Sequence, residues 1–169
     1  MANVLYTCCT TIQTQLRDST TLTSAESEVA SIADAAIVIR KLALREKNFE
    51  SGHLLEEFPG ILIVPGPAKS PASAGVNSHD DVFYSIDVVI CDRDNQQRLA
   101  GLSTYTQWQQ NIRQRLNLPT ISWPSDAASG IVWQVNVLNS EAINDWRWVN
   151  HREAVCGVQV QLTSREPRG

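Results

Sequence analysis

The sequence has no excess of positive charge. Its 14 Lys and Arg stand against 18 Asp and Glu over 169 residues, a formal charge of −4. A protein whose main work is gripping phosphate backbones needs a basic surplus to release counterions, so the composition argues against that class. Cysteine is scarce, with Cys8, Cys9, Cys91 and Cys156 and no CxxC pair, which leaves a zinc knuckle or a thioredoxin-like redox site without support. Adjacent Cys8 and Cys9 suit a stapled secreted scaffold poorly, and the expectation is four reduced, buried thiols. Met1-Ala2-Asn3-Val4-Leu5-Tyr6 lacks the basic region and apolar stretch of a signal peptide. No run approaches the roughly 18 apolar residues of a membrane helix. The expectation is assembly in a reducing cytoplasm without a membrane.

What is present is ordinary for a globular chain: 43% hydrophobic and 19% charged residues, too apolar for wholesale disorder. The length favours one domain spanning 1–169. Val4, Leu5, Cys8, Cys9, Ile12 and Leu16 form a stripe that predicts a helix over 3–17. A Ser/Thr/Ala-rich connector follows over 19–33. The β-branched run within 35–42 predicts a strand, and 45–57 is charged. Ile61 to Val64, enclosed by Pro59-Gly60 and Pro65-Gly66, predicts a short buried strand. Residues 65–80 then hold Pro65, Pro67 and Pro71 with glycine, serine and alanine, which predicts an extended loop.

From Asp81 to Cys91 the chain alternates. Val82, Tyr84, Ile86, Val88 and Ile90 face one way and Phe83, Ser85, Asp87, Val89 and Cys91 the other, as in a central strand ended by a turn at 92–95. Leu102, Tyr105, Trp108, Ile112 and Leu116 predict an amphipathic helix that Leu118-Pro119 closes. Ile131–Leu138 predicts a strand, with Trp146-Arg147-Trp148-Val149 resuming the pairing after a tip. In the last strand Ala154, Cys156, Val158, Val160 and Leu162 share one face, opposite Val155, Gly157, Gln159 and Gln161. The tail at 164–169 is expected to be flexible. Strands grouped together with few helices predict an α+β fold, a mixed and mainly antiparallel sheet with two helices on one face.

Motifs for chemistry are weak. Gly66-Pro67-Ala68-Lys69-Ser70 has the Lys-Ser ending of a phosphate loop, but Lys69 does not follow a glycine and Pro71 removes an N–H the loop needs. His53, His79 and His151 lie far apart, and His79-Asp80-Asp81 reads as a solvated turn. Asp92 and Asp94 lack the glycine and distal glutamate of a calcium loop. Ser73 lacks the first glycine of a nucleophile elbow, and Cys156 is expected in the core, where a thiol is inert. Catalytic, cofactor and metal residues are therefore expected to be absent. Trp133, Trp146 and Trp148 fall in one hairpin. Trp146 and Trp148 share a face with Arg147 between them, compatible with core packing or with a protein interface, where Trp and Arg are enriched.

Taken in order, Phe58-Pro59-Gly60-Ile61-Leu62-Ile63-Val64-Pro65, a long loop, and Asp80-Asp81-Val82-Phe83-Tyr84-Ser85-Ile86-Asp87-Val88 resemble the tail terminator family of long-tailed bacteriophages. So do the amphipathic helix with Trp108 and Ile112-Arg113, and Val158-Gln159-Val160-Gln161-Leu162 with Arg165-Glu166. The resemblance spans roughly residues 35–166 and lies in order and spacing. It implies an α/β or α+β fold and a homo-hexameric ring that caps the tail tube, stops its growth and receives the head connector. It implies a structural virion protein of the tail or neck, without catalytic residues or cofactors. Partners would be its own copies, the tail tube protein and the connector or stopper, with DNA passing the lumen unbound. Interface candidates are Lys69, Ser70, Val76 and His79 in the loop and Trp146, Arg147 and Trp148 in the hairpin. Another neck component, or a small cytoplasmic enzyme built around His79-Asp80-Asp81, are the alternatives.

Overall fold

The apolar stripe near the N-terminus becomes helix α1, Val4–Arg17, whose Val4, Cys8, Cys9, Ile12 and Leu16 are buried. Asn3 caps it, its side-chain Oδ1 accepting from the Tyr6 N–H at 3.3 Å. At the other end the Arg17 guanidinium donates to the Asp34 carbonyl at 3.0 Å and the Ile37 carbonyl at 2.8 Å. Gln13 Nε2 donates to the same Ile37 oxygen at 2.8 Å, so α1 caps the outer edge of the strand that starts there. The computed structural model describes residues 3–17, 22, 31–40, 58–69, 79–93, 102–126, 130–139 and 153–167. The connector at 19–33, apart from Leu22 and 31–33, and the charged segment 45–57 lie outside them.

Six strands form one sheet in the order β1-β2-β3-β6-β5-β4. Strand β1, Ile37–Ile39, runs parallel to β2, Gly60–Pro65; every other pairing is antiparallel. The fold is thus α+β, with a mixed, mainly antiparallel sheet. β1 is shorter than the run within 35–42 suggests, because Asp34–Ala36 closes a 3-10 turn, Ala36 N–H to Ala33 carbonyl at 3.0 Å. Only the β-branched trio carries the side chains that favour a pleated, half-buried surface.

Strand β3, His79–Arg93, is central, paired along its length with β6, Glu153–Pro167, and over Ile86–Cys91 with β2. Two expectations are corrected here. The extended loop at 65–80 is shorter at both ends, since Pro65 closes β2, Lys69 bridges Phe83, and His79 and Asp80 open β3. Residues 70–78 lie outside the described set. The tail is not flexible from 164: Ser164–Pro167 completes β6, paired with β3 throughout and with β5 as far as Arg165. Ser164 is buried, the Tyr84 hydroxyl donates to Glu166 Oε1 at 2.6 Å, and Arg165 pairs with Asp81 at 3.1 Å. The turn expected from residue 92 also starts later, because Asp92 and Arg93 still pair with Ala154 and Glu153.

Helix α2, Leu102–Leu116, buries Tyr105, Trp108, Ile112 and Leu116. Its buried Gln109 donates to the Gly157 carbonyl at 2.7 Å, and the Tyr105 hydroxyl to Asp92 Oδ2 at 2.7 Å. α1 covers β1 and β2, α2 covers β5 and β6, and the two helices touch. Both lie on one face, where Ile61, Ile86, Val88, Ile90, Val158 and Val160 meet them in the main core. Among the described residues strand β4, Ser125–Asp126, pairs only with the start of β5, Gly130–Asn139. Gly130 has φ +135°, and a Cβ there would stand 2.8 Å from Val4 Cγ2 and 2.9 Å from Glu166 Cγ, so the α1 start and β6 end close upon it.

Candidate functional site

The face of the sheet away from the helices carries the second set of alternating residues. Near β2 it is apolar, with Leu62, Val64 and Cys91 buried against Val38, Phe58, Val89 and Val155. Further across, register brings polar side chains side by side. Phe83, Thr163 and Gln134 form one row over β3, β6 and β5, Ser85, Gln161 and Asn136 the next, and Asp87, Gln159 and Leu138 a third. Within them Gln159 donates to Asp87 Oδ1 at 3.1 Å and Gln161 to Gln159 Oε1 at 2.8 Å.

A wall rises beside these rows. Gly66 continues the pairing past β2, its N–H donating to the Ser85 carbonyl at 2.7 Å, an approach that a Cβ 2.7 Å from that oxygen would prevent. Lys69 and Phe83 exchange two backbone hydrogen bonds of 2.9 and 2.8 Å. Pro67 and Lys69 thereby line one side of a groove of about 420 Å³ whose floor holds the first two rows. On the far side β5 is bulged between Val132 and Gln134. Trp133, at the bulge, is 55% exposed, Phe83 47% and Leu138 46%. The bulge turns Trp133 out of the alternation that buries Val137.

The two ends of the sheet differ. At one, α1 and β1 enclose a second groove of about 560 Å³ lined by Leu5, Tyr6, Cys9, Gln13, Ile39 and Pro65. At the other, no strand among the described residues pairs with the outer edge of β5 beyond Val132, whose N–H reaches the Pro124 carbonyl at 2.8 Å.

The reactive groups are muted. Burial pushes the Cys8 thiol up to about 12, with Cys9 and Glu166 adding to the effect. Burial alone raises Cys9 to about 11 and Cys156 to about 12. These thiols stay protonated near neutrality, and a thiol is a poor nucleophile. The Tyr84 hydroxyl is pushed up by burial and then by its hydrogen bond to Glu166. Among the described residues no three His, Cys, Asp or Glu side chains are grouped to hold a metal ion, and no helix is long and apolar enough to cross a membrane.

Of the interface candidates, Lys69 is exposed and lines the groove, and His79 is exposed at the start of β3, opposite Pro167. The two are not gathered into one site. Ser70, Val76, Trp146, Arg147 and Trp148 lie outside the described residues. Sequence reasoning did not single out Gln134, Asn136, Gln161 or Phe83. The signal available was the polar second face of the last two strands. No known family model matches the sequence, and no curated protein is detectably similar to it.

Proposed function

We propose that this chain is the subunit of a homo-hexameric ring that caps a bacteriophage tail tube, stops its growth and offers the surface on which the head connector or stopper docks. The order and spacing of segments across residues 35–166 motivate the reading. The observation that carries it is the asymmetry of the sheet's ends. A closed ring of identical subunits needs two different patches per copy, one docking onto the other. The groove between α1 and β1 is one such patch, and the β5 edge beyond Val132 with Trp133 and Leu138, which no strand among the described residues covers, is a different one toward the opposite end of the sheet.

Charge suits the role of a passage. Six copies carry a formal charge of −24, six times −4. An acidic ring repels the phosphate backbone, so DNA slides through without being held. The partners are then further copies of the chain, the tail tube protein and the connector, and the protein belongs to the tail or neck of the virion. Sedimentation velocity of the purified chain over a concentration series tests the assembly, with a species six times the 18.7 kDa chain mass expected to grow with concentration. A species of twice the chain mass that persists undiminished at the highest concentration would contradict it, because a closed two-fold contact consumes the patch a ring requires.

A further inference from the structure

We propose that the groove over β3, β6 and β5 is a binding site for an uncharged oligosaccharide, an activity separate from ring assembly. Its floor is a grid of neutral polar groups: the carboxamides of Gln134, Asn136 and Gln161 and the hydroxyls of Ser85 and Thr163. Carboxamides both donate and accept hydrogen bonds, which matches the hydroxyl and ring oxygens of a sugar. Among the described residues the side chains of Gln134 and Asn136 hold no hydrogen bond, so their capacity is open to a ligand. Phe83, exposed at one corner, supplies an apolar plate for the C–H face of a sugar ring.

Other ligand classes fit less well. Among the described residues no carboxylate lines the groove, so a cation finds no counter-charge there. Lys69 is, among the described residues, the single positive side chain lining it, too little for a polyanion on a chain of net charge −4. An apolar ligand would leave the amides desolvated and unpaired. The floor strands are hydrogen-bonded to one another, so an extended peptide cannot add itself there through backbone bonds. The volume of about 420 Å³ lies within the range of small-ligand sites, about 300–1,000 Å³. Three strands at about 4.8 Å spacing give a platform about 10 Å across, room for a short glycan chain.

The test is an NMR titration of the full chain, reading side-chain NH₂ signals. The probes are the hexasaccharides of β-1,4-glucose, α-1,4-glucose and β-1,4-N-acetylglucosamine, with the charged hexamer of galacturonic acid as control. At millimolar sugar, at least one neutral probe is expected to shift the NH₂ signals of Gln134, Asn136 and Gln161. The buried NH₂ of Gln109, held by the Gly157 carbonyl, should stay in place. Gln134→Ala with Asn136→Ala should weaken that binding by about tenfold or more and leave the backbone amide spectrum unchanged elsewhere. A flat response of the three NH₂ signals to every neutral probe overturns the proposal. So does an equal response to the galacturonic acid hexamer, or undiminished binding by the folded double variant.

Discussion

Raising the pH should unfold this protein by a route set by three thiols. Cys8, Cys9 and Cys156 are buried in the main core, and burial lifts them from an ordinary value of 9.0 to about 12, 11 and 12. Because the folded-state values are raised, the native chain holds these protons more tightly than the unfolded chain. The stability this contributes is fully present below pH 9 and is lost as pH climbs between about 9 and 12. Each thiol then costs about 1.4 kcal/mol per pH unit. At pH 10 the three together remove about 4 kcal/mol, a large part of the 5–15 kcal/mol typical of a domain. The assay is urea denaturation at pH 8 and pH 10 under reducing conditions, in the wild type and in the variant Cys8→Ala/Cys9→Ala/Cys156→Ala. The variant starts less stable, since it loses packed sulfur atoms, but its stability should change much less between the two pH values. An equal pH dependence in both proteins would refute the reasoning, because lysines and tyrosines are common to the two.

Further substitutions test the packing and the exposed edge. Trp108→Ala removes a side chain with 0% exposure at the centre of α2 and should cost about 3–5 kcal/mol in urea denaturation. Gly130→Ala forces a Cβ to within 2.8 Å of Val4 at a positive φ and should cost about 2–4 kcal/mol, read as a fall in the thermal midpoint. Tyr84→Phe deletes the donor to Glu166, and a loss of about 1–2 kcal/mol should appear below pH 9. Trp133→Ala, at a half-exposed position, should change monomer stability by no more than about 0.5 kcal/mol. It should weaken self-association in sedimentation velocity.

The parts of the fold legible in the sequence are those where periodicity reports burial. α2 runs from Leu102 to Leu116 because Tyr105, Trp108, Ile112 and Leu116 repeat at helical spacing, and the structure buries all four. β3 was readable for the same reason, Tyr84, Ile86, Val88 and Ile90 facing the helices at period two. Ends were less legible, since they depend on partners distant in sequence. Ser164-Arg165-Glu166-Pro167 is polar, yet β3 pairs with all of it, β5 with its first two residues, and Tyr84 and Asp81 fasten its side chains. The two-residue β4 and the bulge at Trp133 leave no periodic trace at all. The groove was hidden for a related reason. Gln134, Asn136 and Gln161 look like ordinary outward residues of strands, and only the register of β3, β6 and β5 places them in adjoining rows beside Lys69.

The ring is the claim on which the functional account stands, and electron microscopy addresses it most directly. Negative-stain images of the purified chain would be taken over a concentration series, and of the chain mixed with isolated tail tubes. The account predicts sixfold rings with an open centre, free at high concentration or seated on one end of the tubes. Small compact particles alone, combined with tubes left uncapped and still able to lengthen, would contradict it.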